Sequence, residues 1–379
     1  MTFISHQQRS APTGLSKALH FHWALAFLLA AIGGVGVLML VSVAGGQMDQ
    51  WAFPQLTRLI AGLCLMSVIA FVPIRVFRSL SVAAYLSALA LLVAVAFVGE
   101  TGMGARRWIE FGPFRGQPSE LMKVTLVMIL AWYYDSLPPE RTSRPLWILP
   151  PVILTVVPAI LVFRQPDLGT ATLILMGGAV MMFIAGVAWQ YFVAGAGLVV
   201  GSIATVFLTR GTDFQFLEDY QYVRIETFLN PSSDPLGAGY HITQSMIALG
   251  SGGVSGRGFM QGTQSRLNFL PEKHTDFIFT TLVEEMGITG GIVLAVGYCL
   301  IVLFCVLSAL TNRNRYGSLL TLGIGCTFFL YFGVNMSMVM GLAPVVGVPL
   351  PLVSYGGSAM IVILVAFGLV QSAHVHKLR

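Results

Sequence analysis

WALAFLLAAIGGVGVLMLVSVA, residues 23–44, carries no ionisable side chain. A helix needs about 20 predominantly apolar residues to cross the hydrocarbon core of a bilayer, and this stretch supplies them. Nine further stretches of the same kind follow, near 52–72, 79–98, 118–135, 147–163, 167–186, 190–209, 276–309, 317–341 and 356–375. Composition agrees: of 379 residues, 56% are hydrophobic and only 10% charged, against roughly 25% charged in a soluble domain. Mean hydropathy is +0.80. Two or three water-soluble domains are thereby excluded. The sequence predicts an all-α, polytopic integral membrane protein with about ten transmembrane helices.

The basic residues orient it. With ten spans and an interior N-terminus, the cytoplasmic segments carry Arg9 and Lys17, Arg75 and Arg78, Arg141 and Arg144, Arg313 and Arg315, and Lys377 and Arg379, as the positive-inside rule requires. Both termini are then cytoplasmic: a tail at 1–22, a transmembrane domain at 23–376 and an end at 377–379. Of 16 acids only Asp135 and Glu140 fall on cytoplasmic loops, so any chemistry is expected on the exterior face of the cytoplasmic membrane. The net charge of +5 is scattered, with no basic run, which argues against a nucleic-acid partner. Cys64, Cys299, Cys305 and Cys326 lie in apolar segments without a metal-type pair, so neither disulfides nor a zinc site is expected. The N-terminus has no small-residue cleavage site before its first span ends and reads as a retained helix.

Two exterior connections are long. One, 99–117, holds Arg106, Arg107, Trp108, Glu110 and Arg115. The other, the large loop 210–275 between spans 7 and 8, contains the glycine-rich run Gly250–Gly258. That run lacks the GxxxxGK[ST] pattern of a phosphate loop and reads as a flexible or re-entrant turn. Ionisable residues at membrane depth are functional candidates because burying a charge there is costly: Arg58, Glu120, Lys123, Asp167, Asp276, Glu284 and Glu285.

Three of these acids open helices. Pro118 and Glu120 begin the fourth span, and Lys123 shares the face of Glu120; a plain helix-start salt bridge competes with a carboxylate–ammonium pair lining a cavity. Asp167 follows Pro166 in the same way. Asp276 opens the eighth span, and Thr280 and Glu284 fall on its face, with Gly287 and Gly291 continuing it. Three separate caps compete with convergence on one exterior site. Asp276, next to Phe277, Ile278 and Phe279, is the candidate general base. His274 reads as a loop residue or hydrogen-bond partner. The Pro/Gly-interrupted stretches 344–351 and 354–358 are tolerated at membrane depth only beside protein or a water-filled cavity, and so read as a cavity wall.

RWIEFGPFRGQPSELMK (107–123), QPDLGT (165–170), DPLGAGYHITQS (234–245), FLPEKHTDFIF (269–279) and GVPLPLVSYGGSAM (347–360) occur in that order. Together they resemble the SEDS family (shape, elongation, division and sporulation proteins), from about residue 20 to the C-terminus, and look more like its rod-elongation branch than its division branch. The resemblance implies a peptidoglycan glycosyltransferase that polymerises lipid II, an undecaprenyl-pyrophosphate-linked disaccharide pentapeptide, into β-1,4 glycan strands. Its essential aspartate matches Asp276. Substrate-binding positions are expected at Trp108, Arg115, Glu120, Lys123, Asp167, Lys273, His274, Ser354 and Tyr355. A divalent cation (Mg or Mn) is a possible cofactor, with Asp276 its possible ligand. The implied partners are a class B penicillin-binding protein transpeptidase and the elongation machinery. A lipid II flippase or other transporter, and a passive scaffold, are the competing readings.

Overall fold

A computed structural model describes residues 19–102, 105–111, 114–209, 238–267, 269 and 273–377. Residues 1–18 of the expected tail, with Arg9 and Lys17, and residues 210–237 of the large exterior loop lie outside the described residues. Each of the ten expected spans is a helix: α1 Trp23–Val43, α2 Ala52–Phe71, α3 Ile74–Val98, α4 Pro118–Ser136, α5 Pro145–Phe163, α6 Leu168–Ile184 and α7 Trp189–Leu208. After α8 Ala238–Gly252 and the single turn α9 Thr263–Arg266 come α10 Ile278–Leu310, α11 Arg315–Val339 and α12 Gly357–Val375. Among the described residues, seven are long and apolar enough to cross a membrane: α1, α2, α3, α5, α10, α11 and α12. The chain is a multi-pass membrane protein. Of the other three, α4 is interrupted by Glu120, Lys123 and Asp135, and α6 has 17 residues.

Four details depart from the sequence reading. Connection 99–117 is not irregular: it forms a three-stranded antiparallel sheet, β1 Glu100–Gly102, β2 Ala105–Phe111 and β3 Phe114–Gly116, with Glu110 opposite Arg115. The large loop contains α8. The third span starts at Ile74, so Arg75 and Arg78 sit in its first turns and not in a preceding segment. Finally, Asp276 lies ahead of α10, whose N-cap is Phe277, and α10 is broken at Gly287 (φ 73°, ψ −177°). The proposed stripe from Asp276 to Gly291 is therefore not one continuous helical face.

The break has a filling. In an unbroken helix the carbonyls of Glu284 and Glu285 would be used internally; here they accept from the N–H groups of Arg257 and Gly258 at 3.0 and 2.9 Å. Beyond the break, Ile288 and Thr289 N–H donate to the carbonyls of Gly253 and Val254. The glycine-rich run after α8 is thus pressed into the gap in α10 and satisfies groups that would otherwise be orphaned in an apolar setting. Gly256 and Gly287 have positive φ and no room for a Cβ, because each would meet the other segment's main chain.

Packing elsewhere follows the small-residue rule for membrane helices. Helix α12 lies along α2, where Gly62 takes Leu364 and Gly368 takes Ile69. One end of the bundle is closed by polar contacts: the Arg78–Asp135 ion pair at 2.6 Å, Arg315 donating to the Leu137 carbonyl, and Gln371 bonded reciprocally to the His22 main chain. These residues are those the sequence places on the cytoplasmic side. The candidate site lies at the other end.

Candidate active site

Helix α4 begins with Pro118 at its first position and Glu120 in its first turn, where the helix dipole favours an anion. Glu120 and Lys123 are both 4% exposed, and Lys123 Nζ donates to Glu120 Oε1 at 2.7 Å. The pair has a third member that the sequence did not disclose: Tyr331 of α11 donates its hydroxyl to Glu120 Oε2 at 2.7 Å, and its ring lies 4.2 Å from Lys123 Nζ. A buried carboxylate is stable only when paired and hydrogen-bonded, and here both oxygens are used. Below the pair a narrow crevice runs between α4, α11 and α12, lined by Val124, Val127, Ile324, Phe328 and Phe367.

Asp167 is 5% exposed and caps α6, accepting from Thr170 N–H at 3.1 Å. Its other oxygen accepts from Gln117 Nε2 at 3.1 Å. Asp167 thus ties α6 to the start of α4. The sheet joins there too, since Arg107 donates to the carbonyls of Gln165 and Pro166. On its other arm, exposed Arg115 stacks 5.1 Å from the half-buried Trp108 ring, a guanidinium–indole pair held on strands β2 and β3.

The segment before α10 carries Lys273, His274 and Asp276, all half-buried. Burial lowers the pKa of Lys273 below the ordinary lysine value. His274 stacks on Trp51 with ring centroids 4.6 Å apart, and the Tyr355 ring lies 6.2 Å from it at a tilt. Arg58 lies 5.0 Å over Tyr355, giving that membrane-depth arginine a place at the rim of the same cluster. Three carbonyls in a row are held from outside the segment: His274 O by Tyr355 N–H at 2.9 Å, Thr275 O by Ser354 Oγ at 2.6 Å, and Asp276 O by Asn335 Nδ2 at 2.9 Å. Ser354, expected as a substrate contact, is 3% exposed, and its hydroxyl also accepts from Leu350 N–H. Its visible work is to brace the backbone.

The three acidic segments share neighbours. Asn335 and Tyr331, one turn apart on α11, reach Asp276 and Glu120 respectively. The 344–348 segment passes between the others: a Cβ on Gly347 would lie 3.6 Å from Asp276 Oδ2, and Gly169, two residues after Asp167, has no room for one against the Val346 carbonyl. Gln117, Tyr331, Asn335, Trp51 and Gln55 were not singled out from the sequence. Being uncharged, they carry no cost signal at membrane depth; only the fold shows what they bind. Among the described residues, no three His, Cys, Asp or Glu side chains gather as a metal site.

The family of cell cycle proteins comprising FtsW, RodA and SpoVE matches residues 19–379. The Escherichia coli peptidoglycan glycosyltransferase MrdB is 38% identical over 95% of both chains, and the Helicobacter pylori MrdB is 34% identical over 82% of this chain and 80% of its own. A solved peptidoglycan synthase complex, described as coordinating polymerization and crosslinking, contains a chain that superposes with TM-score 0.78 at 32% identity, covering 93% of this chain and 97% of that one. The Thermus thermophilus rod shape determining protein RodA superposes with TM-score 0.70 at 29% identity, covering 95% and 98%. With a family match across nearly its whole length and a relative of that identity and coverage, this chain belongs to the FtsW/RodA/SpoVE (SEDS) family.

Proposed function

We infer that this chain is a peptidoglycan glycosyltransferase that polymerises lipid II during cell elongation, with Asp276 as the general base. The observation that carries the role of Asp276 is its placement: a half-buried carboxylate on a segment whose successive carbonyls are clamped, with Gly347 beside its Oδ2. Rigid support of this kind is what proton transfer in a transition state requires.

The acceptor's sugar hydroxyl attacks the anomeric carbon of the donor. The new glycosidic C–O bond forms as the bond to undecaprenyl pyrophosphate breaks, and the hydroxyl proton passes to Asp276. One carboxylate suffices for a single displacement with inversion, since pyrophosphate leaves without prior protonation, unlike the leaving group in glycoside hydrolysis. Arg115, exposed on β3, and Lys273, three residues before Asp276, are the cations assigned to the departing pyrophosphate. The apolar crevice below Glu120 and Lys123 has a lining suited to a prenyl chain. Asp276 is the residue that would hold a divalent cation, which would supply countercharge to the departing pyrophosphate; no step above depends on it. The site faces the periplasm, and a class B penicillin-binding protein is the partner that crosslinks the product.

The test is strand synthesis from lipid II by purified protein, with products resolved by length. Wild type should give strands, while Asp276→Asn should give none yet remain folded in detergent. Strand synthesis at the wild-type rate by Asp276→Asn would remove the base assignment.

A further inference from the structure

Asn335 is fully buried on α11, and its Nδ2 donates to two carbonyls, Asp276 O at 2.9 Å and Val348 O at 2.7 Å. Both partners are acceptors, so only the NH2 end of the amide can face them. Its Oδ1 is left buried with no hydrogen-bond partner. Buried polar atoms are normally partnered, so this acceptor makes Asn335 a costly way to fill space that an apolar side chain could fill. What the amide gains is specific. Asp276 O is the carbonyl that the first turn of α10 does not use, since Thr280 N–H bonds Phe277 O instead. Val348 follows Gly347, on which a Cβ would lie 3.6 Å from Asp276 Oδ2. One side chain therefore holds both the peptide that carries the carboxylate and the 347–348 segment beside it. A turn earlier, Tyr331 fixes the Glu120–Lys123 pair from the same helix.

We propose that Asn335 is a positioning residue of the polymerase, holding Asp276 where it meets the attacking hydroxyl without itself touching substrate. The proposal rests on Asp276 being the base. Ser354 supports the preceding peptide, and Gln55, whose Nε2 donates to Ser354 O at 2.9 Å, stands behind it.

The test uses the full-length chain, with Asn335→Asp and Asn335→Ser measured beside Asp276→Asn. The aspartate variant keeps the volume but sets an oxygen against two carbonyls; the serine variant removes the reach without adding a charge. Lipid II polymerisation is followed across lipid II concentration and pH, and rates are normalised to folded protein. Small misplacements of a reacting group cost up to a hundredfold, so the expected result is a kcat lower by about tenfold or more, with KM within about twofold of wild type. The acid limb of the kcat profile, which reports the base in the bound complex, is expected to move. A structural role alone would lower the yield of folded protein and leave kcat per folded molecule, KM and the pH limb where they were. That outcome, or loss of folded protein in both Asn335 variants, overturns the proposal. If Asp276→Asn is inactive while the Asn335 variants behave as wild type, the positioning role falls and the base stands. If Asp276→Asn is active, the base falls and the positioning role with it.

Discussion

Glu120 and Lys123 show how one residue of context changes a prediction. As an isolated i, i+3 pair, they should tolerate exchange of their charges. With Tyr331 present they should not: a lysine at 120 would receive a hydroxyl that now donates to Glu120 Oε2, and a carboxylate at 123 would face the π cloud that now holds the ammonium. The exchanged double variant is expected to lose strand synthesis, and restored activity would show the pair to be a simple salt bridge. Tyr331→Phe removes one hydrogen bond to a charged acceptor, worth about 1.5–3 kcal/mol; a lower melting temperature in detergent is the check, and an unchanged one would place Glu120 outside its influence. Lys273 gives a prediction with two opposite signs. Burial lowers its pKa, so between that value and the free-lysine value near about 10.4 the unfolded chain binds more protons than the folded one, and stability rises with pH. If the ammonium meets pyrophosphate, activity falls across the lower part of the same window. Strand synthesis that declines with alkaline pH while the Lys273 contribution to the melting temperature rises, with the decline moved upward in Lys273→Arg, is the expected pattern.

Helix α10 is the element whose interior the sequence describes least well. Its apolar length was plain from residue 276 onward, as were the other nine spans, because hydropathy integrates over twenty residues and tolerates errors at the ends. The acids Glu120, Asp167 and Asp276 were legible for the same reason, each being out of place in an apolar field. The break at Gly287 was not, since glycines at this spacing also occur in unbroken apolar membrane helices. Its cause lies some thirty residues away, in the run at 253–258 that fills the gap. The little sheet at 100–116 was hidden for a related reason: short strands stabilised by cross-strand pairing carry weak local signals. The backbone of Gly287 is one that essentially only glycine adopts, so Gly287→Ala should cost about 1–3 kcal/mol in strain alone, with a clash against the Val254 carbonyl added. A lowered melting temperature together with faster proteolysis at 253–258 is expected. Wild-type stability in Gly287→Ala would mean that the break is not held by that residue.

On the scale of the whole molecule, the chain makes strands but has no SxxK nucleophile on an exterior segment with a KTG companion, the set that penicillin-binding proteins use for acyl transfer. Uncrosslinked glycan is an incomplete product, which fits a crosslinking enzyme on another chain. The resemblance to a chain of a synthase complex that joins polymerization to crosslinking supports the same division of labour. The architecture also offers a route by which a partner could set the rate. Helix α8 leads directly into the run docked in the α10 break, and the segment with Asp276 enters the same helix from its other side. A partner that prefers one placement of α8 would bias the placement of the catalytic segment by the difference in its affinity for the two states. Turnover should therefore rise when a class B penicillin-binding protein is bound. Gly256→Ala, which forces a side chain into the α10 main chain, should weaken that rise while complex formation persists. Co-purification followed by strand synthesis, with and without stoichiometric partner, measures both. Equal turnover in the two conditions would end the activation argument, and an undiminished rise in Gly256→Ala would show that the signal does not pass through the break.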